Sequence, residues 1–491
     1  MRYTSLLSPL TNDEAGFLLV SRAWVPTPDN MYGTFWVDRP PILIWTYQAA
    51  DVLFGAYGPR VFASLLAIAM VVAVYQTGVR VAGESAARWA TAGTVILASN
   101  PALQSWTGKG EMLGTPLVVI SCCLSIAALR RRHDWRRVAL SGAAGFVAVL
   151  ACGLKQSLVG GLVFGAALLG GAMVSRRLRP SEGLTLGVAA IAGAAVPVLA
   201  TVAWALSNNV ELGTVWHHVY GFRSEASAVI AQGQLSAPRE RAVTLAVLAV
   251  VTGIVPIMVW LASCLPALRA RFSVGFMAVA TMFAVDVIGA ILGGSYWQAY
   301  LIPLIPSAAF ALMLLFTLTG WRRRVSQGLV VVAAVATVCA LTVFTVDRVS
   351  GHSGTASFNT GAAIARSSHP TDTIVSLYGD ADTVQASGLR SPYPYLWSLP
   401  VRTLDPDLSL LKRQLTGPDA PTWVVAALPL NSWNIDASGE LQAVLDTKYI
   451  EVADDCGDPV WRRIDRPRPP IEIDCHRPWR PILRALSFGG R

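Results

Sequence analysis

Four carboxylates sit where a strongly apolar chain can least easily leave them idle: Asp13 and Glu14 near the start, Asp38 before a Pro-Pro pair, and Glu111 between two apolar stretches. Ionised groups at the edge of hydrocarbon are costly and are usually retained for a task, as general base, metal ligand or ion-pair partner. Each also has an ordinary reading. Asp13 and Glu14 can cap a helix and interact with its dipole, Asp38 can form a local pair with Arg39 worth little energy, and Glu111 can share a solvated turn with Lys109. The cations in the same connections are Arg39, Lys109, Lys155 and Arg223, joined by Arg239 and Arg241. Lys155 lies between two apolar stretches, where a cation needs a partner unless its stem snorkels to the interface. Asp38, Glu111 and His218 offer the oxygen and imidazole donors that a divalent metal ion accepts, and such an ion is the one cofactor these residues could take. His217 and His218 are equally at home as interfacial side chains. Asp286, within an apolar stretch, either lines a cavity or is a buried, hydrogen-bonded acid.

The elements that must position these groups are membrane spans. Of the 491 residues 53% are hydrophobic and 14% charged, with a mean hydropathy of +0.49, too apolar for a soluble chain of this length. Apolar stretches of spanning length, about 20 residues each, recur ten times: near 61–80, 88–106, 112–129, 138–154, 156–174, 184–206, 242–265, 273–292, 298–318 and 325–346. The net charge of +9 would suit a nucleic-acid partner only if the basic residues gathered on one soluble face. They do not: Arg80/Arg88, Arg130–Arg132 with Arg136/Arg137, Arg176/Arg177/Arg179, Arg269/Arg271 and Arg322–Arg324 occupy every second connection. Cytoplasmic loops carry such clusters, so no nucleic-acid partner is expected, and both ends of the span array are expected to face outward.

The chain then divides into an extracytoplasmic first loop (1–60) with surface helices near 13–24 and 41–54, a transmembrane domain of about ten helices (61–346), and an extracytoplasmic C-terminal α/β domain with a basic, proline-rich tail (347–491). Turn-forming residues fill 350–360. Strand-like runs at 373–378, 422–428 and 449–453, and a helical run at 440–447, predict a small α/β layer. Five of the seven cysteines fall in apolar stretches and behave as small apolar side chains, whereas Cys456 and Cys475 lie where an outward domain would meet an oxidising compartment, so a disulfide between them is expected if their geometry permits.

In order along the chain come Asn12-Asp13-Glu14-Ala15, then Trp36-Val37-Asp38-Arg39-Pro40-Pro41 ending at Trp45, then Leu53-Phe54-Gly55 and Arg60. This order resembles the first external loop of the GT-C glycosyltransferases, particularly the branch of protein O-mannosyltransferases and aminoarabinose transferases. There an Asp-Glu-Ala-like element precedes a basic-Pro-Pro element, an aromatic residue, and a Phe-Gly before an arginine. Gly153-Leu154-Lys155, Trp216-His217-His218 with Arg223, and Tyr300 through Pro306 are further similarities, so that the likeness covers most of 12–310. Glu111 stands where many members have Asp, and Arg39 where Lys is usual.

The resemblance implies a mostly α, polytopic GT-C-like fold and a polyprenyl-phosphate sugar donor. It also implies an acceptor hydroxyl on a protein, lipid or envelope polysaccharide, at the extracytoplasmic face of the cell membrane. Asp13 is expected as general base, with Glu14 and Glu111 beside it as catalytic candidates. Arg39, Lys109, Lys155 and Arg223 are expected to offset charge on the leaving phosphate. A transporter or flippase of a lipid-linked saccharide would share the composition but is expected to carry paired repeats with broken helices. A membrane scaffold would leave the acid-aromatic first loop without a purpose. The family places one helix before the Asp-Glu-Ala element, so an apolar helix upstream of Met1 is an expectation too.

Overall fold

The computed structural model describes residues 6, 8–131, 134–232, 236–350, 356–454 and 458–475. In hydrocarbon the backbone must satisfy its own hydrogen bonds, and this chain does so with helices. The first loop supplies two. Helix α1 (Asn12–Arg22) begins on a capping box, with the Thr11 N–H and hydroxyl donating to Glu14 Oε2 at 3.0 and 2.9 Å. Helix α2 (Pro41–Phe54) starts on prolines, whose fixed φ suits a first turn, and ends at Gly55 with φ 68°. It buries Leu43, Ile44 and Tyr47 and leaves Val52, Leu53 and Phe54 exposed. A short 3₁₀ turn (Gly55–Tyr57) leads into α3 (Gly58–Ala82).

The following helices are α4 (Glu84–Ala98), α5 (Gly110–Arg130), α6 (Trp135–Leu154), α7 (Gly160–Val174), α8 (Pro180–Ser207), α9 (Leu212–Trp216) and α10 (Phe222–Gln232). After them come α11 (Ser236–Val251), α12 (Ile254–Ser263), α13 (Leu265–Leu292), α14 (Ile305–Leu315) and α15 (Gly320–Ser350). All ten apolar stretches are helical over most of their length. Among the described residues seven helical segments are long and apolar enough to cross a membrane, Pro41–Ala82 being one. An eighth is possible if α11 and α12, bent by 59°, act as one broken span. The bend falls at Gly253, which has φ 90°. Helices α4 and α7 have 15 residues each, short of the roughly 20 that the hydrocarbon core demands. The chain is a multi-pass membrane protein.

The C-terminal region is a small α/β layer. Helix α16 (Ala356–Ser367) takes 356–360 of the stretch expected to be turns, 351–355 lying outside the described residues, and buries Thr360, Ala363 and Ile364. Strand β1 (Ile374–Leu377) is followed by α17 (Ala381–Ser387), α18 (Ser398–Leu404) and α19 (Ser409–Thr416); β2 (Trp423–Ala426), α20 (Glu440–Lys448), β3 (Tyr449–Ala453) and β4 (Val460–Arg463) complete it. The sheet order is β1-β2-β4-β3. β1 and β2 are parallel, with Val375 opposite Val424, and β4 lies antiparallel between β2 and β3. β4 was not among the expected strands, because Val460-Trp461-Arg462-Arg463 is too short and charged to read as one. Cys475 is disulfide-bonded; Cys456 lies outside the described residues. The layer does not hang free of the helices: Ala381 and Leu396 belong to the same buried cluster as Phe17, Leu18 and the span residues.

Candidate active site

The helix ends fix where the candidate residues meet. Arg60 begins α3, Glu111 begins α5, Lys155 caps the C-terminus of α6, and Arg223 begins α10. The arginine-rich ends lie across the same helices: Arg80 at the end of α3 and Arg130 at the end of α5. The candidate residues therefore gather at the ends of α3 and α5 opposite Arg80 and Arg130. Gly110 lets α5 approach α6 closely, since a Cβ there would lie 2.5 Å from the Leu154 carbonyl oxygen. This contact brings Glu111 against Lys155.

Three carboxylates and four cations alternate in this region. Lys109 Nζ lies 2.9 Å from Asp13 Oδ2 and donates to Gln104 Oε1 at 3.1 Å. Asp38 takes Arg39 on one oxygen at 2.6 Å and Arg223 on the other at 2.5 Å. Lys155 pairs with Glu111 and stands 4.6 Å from the centre of the Tyr300 ring. Arg39 is the common neighbour: burial lowers its proton affinity, but the fields of Asp38, Asp13 and Glu111 raise it further. Burial likewise works against the charged Lys109, and Asp13 and Glu111 overcome it. Gln156 ties the arrangement together, its amide donating to the Asp38 and Val219 carbonyls at 3.2 Å each.

Glu14, the second catalytic candidate, is enclosed by donors. It is 1% exposed and grips Arg60 through two oxygens at 2.8 and 2.7 Å. It also accepts from the Gly108 N–H at 2.6 Å as well as from Thr11. Burial alone would raise its carboxyl; Arg60 and these donors hold it at about 2. A carboxylate with this many donors has no lone pair left for a substrate proton. Arg60 in turn donates to the Ser8 and Pro9 carbonyls, so the pair clamps the first loop to α3. Glu111 is also held, by Lys155, which makes it a partner for that cation.

Asp13 is different. Its side chain is 34% exposed, and besides Lys109 it has one neighbour that the sequence did not announce: Trp397 Nε1 donates to Oδ1 at 3.0 Å. Burial pushes the carboxyl up, yet Lys109, Arg39 and Trp397 outweigh it and hold it down at about 2. Gly16, one turn along α1, makes room for the indole, because a Cβ there would sit 2.3 Å from a Trp397 ring carbon. Trp397 precedes α18, so the C-terminal layer reaches into the site. Beside it the Trp36 N–H donates to the Pro394 carbonyl at 3.0 Å, and Ala381 N–H donates to Asn12 Oδ1 at 2.8 Å.

The metal set does not assemble. His218 is buried, its Nδ1 3.2 Å from the Val37 carbonyl oxygen and its ring stacked on Trp36 with centroids 4.9 Å apart. Burial pushes it down to about 4, so it is neutral at physiological pH. Asp38 and Glu111 are each already neutralised by cations, and no group of three His, Cys, Asp or Glu among the described residues could hold an ion. These residues do not fit a divalent metal. Asp286 is buried, one of its oxygens has no hydrogen-bond partner among the described residues, and it lies against Gly160 at the start of α7.

No protein-family model matches the sequence, and no curated protein matches it. Solved structures do. The crystal structure of ArnT from Cupriavidus metallidurans bound to undecaprenyl phosphate superimposes with a TM-score of 0.62 at 15% identity, over 94% of this chain and 95% of that one. The chain has the GT-C fold. The apo form of the same ArnT gives a TM-score of 0.60 at 15% identity, again over 94% and 95% of the two chains. The resemblance read from Asn12 to Pro306 thus extends, as a fold, through the C-terminal layer.

Proposed function

We propose that the chain is a membrane glycosyltransferase that moves a sugar from a polyprenyl-phosphate donor to an acceptor hydroxyl at the extracytoplasmic face, with Asp13 as general base. The observation that carries this reading is the alternating charge cluster. Four cations against three carboxylates leave one positive charge for a phosphate, and Asp13 at 34% exposure is the open carboxylate, Asp38 and Glu111 being 11% and 10% exposed. A structure of the same fold holds undecaprenyl phosphate, which supports the donor class.

In the step proposed, the acceptor oxygen bonds to the anomeric carbon as the bond from that carbon to the phosphate oxygen breaks. The electron pair leaves on the phosphate, and the hydroxyl proton passes to Asp13. Lys109 and Arg39 stabilise the departing charge, with Lys155 and Arg223 adding to the field. A carboxylate held at about 2 is a weak base at rest. Donor phosphate engaging Lys109 and Arg39 would draw their field from Asp13 and raise its proton affinity as the acceptor arrives.

The extracytoplasmic assignment is supported by the arginine clusters, which mark the opposite helix ends as cytoplasmic. Residues 347–491 would then lie outside with 1–60, because Trp397 touches Asp13. Incubating purified protein with labelled polyprenyl-phosphate sugars and hydroxyl acceptors tests the reading. Transfer coupled to release of free polyprenyl phosphate is expected. Movement of the intact lipid across vesicles without transfer would replace the enzyme by a flippase, and neither outcome would leave a scaffold.

A further inference from the structure

At the other end of the spans lies a cavity of about 640 Å³ with Arg80, Arg130 and Arg177 in its lining, a volume within the usual range for small-molecule sites. It shares no residue with the candidate active site. The three arginines come from separate places: the last turn of α3, the last residue of α5, and the connection after α7. The rest of the lining is largely apolar, including Phe164, Leu168, Phe310, Met313 and Leu314. Three guanidinium groups around one recess repel one another, and nearby carboxylates do not relieve them. Glu84 pairs with Arg88 at 2.5 Å, Asp134 with Arg131 at 3.2 Å, and Glu182 with Arg137 at 3.3 Å. Among the described residues none of Arg80, Arg130 and Arg177 has a carboxylate partner.

We propose that this cavity binds an anionic phospholipid of the surrounding leaflet, its phosphate held by Arg80, Arg130 and Arg177 and part of an acyl chain lying along the apolar wall. Guanidinium groups match phosphate oxygens by geometry as well as charge, and basic pockets between spans are built for anionic headgroups. A free phosphate would use the arginines and waste the wall; a neutral lipid would do the reverse. The cavity asks for both features in one molecule, and cytoplasmic leaflets, to which the arginine clusters assign this end, are rich in anionic lipids.

The test titrates purified full-length protein in neutral detergent with phosphatidylglycerol, phosphatidylcholine, undecaprenyl phosphate and inorganic phosphate, counting bound ligand by native mass spectrometry. Phosphatidylglycerol is expected to bind on the order of a hundredfold more tightly than phosphatidylcholine, three arginines contributing. The triple variant Arg80→Gln, Arg130→Gln, Arg177→Gln, whose changes fall on exposed side chains, should remove that preference. Gly275→Phe keeps the arginines and fills the wall. A Cβ at Gly275 meets only Leu314, at 3.8 Å, so the ring has space to enter the cavity, and phosphatidylglycerol binding should fall by roughly tenfold. Equal binding of the two phospholipids would overturn the proposal. So would wild-type affinity in Gly275→Phe, which would reduce the arginines to a charged surface. Tighter binding of undecaprenyl phosphate than of phosphatidylglycerol, or displacement of phosphatidylglycerol by inorganic phosphate, would overturn the phospholipid assignment.

Discussion

At the scale of single residues, Asp13 and Glu14 are neighbours in sequence with opposite fates. Glu14 points into a closed set of donors and Asp13 into a partly open site, although both carboxyls are held at about 2. Asp13→Asn should keep the fold and insertion while lowering transfer by about 100-fold or more, measured as labelled product at saturating donor. Trp397 is proposed to position Asp13 without acting on substrate. Trp397→Phe should therefore cost only several-fold in rate and move the acid limb of the rate profile upward, because one of the groups holding the Asp13 carboxyl down is lost. Gly16→Ala should produce the same pH signature with the indole intact, since its Cβ would displace the ring. An unchanged acid limb in both variants would remove the positioning role. Trp397 was not legible from sequence: it is one of 16 tryptophans and lies 384 positions from the carboxylate it touches.

At the scale of elements, the Glu14–Arg60 pair fastens α1 to α3. Removing one partner of a buried ion pair costs about 3–5 kcal/mol, so Arg60→Ala should lower the thermal midpoint of the purified protein sharply. The pH dependence has a definite sign. Glu14 is depressed from 4.5 to about 2, so its contribution is present above pH 4.5 and is lost as the pH falls from there through about 2. Glu14→Gln should be less stable at neutral pH and lose less additional stability on acidification, as followed by helical signal. Lys155→Ala should impair transfer and Lys155→Arg less so, if the group offsets phosphate charge. The helices themselves were readable, because apolar runs and arginine punctuation follow from the bilayer. Helix bounds were less so: the run 156–174 keeps its helix only over Gly160–Val174, because Gln156 is held in the site turn by the Asp38 and Val219 carbonyls. Residues 356–360 illustrate the reverse error, since small and polar residues that suit a turn also suit the tight contact of α16 with α17.

At the scale of the whole molecule, the spans separate two differently charged ends, and the C-terminal layer belongs to the end that carries Asp13. A Glu451→Cys variant, on the exposed edge of β3, should react with a membrane-impermeant maleimide in intact cells, whereas Arg177→Cys should react only after lysis; the reverse pattern would invert the topology. What sequence could list but not assemble was the alternation of charges. Asp13, Asp38 and Glu111 were each identifiable, but which cation serves which carboxylate depends on helix ends up to 185 positions apart in the Asp38–Arg223 pair. The same pairing explains why the metal set fails as a ligand cluster even though its residue types are right. In the proposed reaction this cluster cleaves a polyprenyl-phosphate sugar with Asp13 taking the acceptor proton. The most direct measurement is single-turnover release of free polyprenyl phosphate from labelled donor by wild type and Asp13→Asn, with donor binding measured on the same samples. Similar donor binding is expected in both, with release lost only in the variant; release at the wild-type rate from Asp13→Asn would contradict Asp13 as the general base.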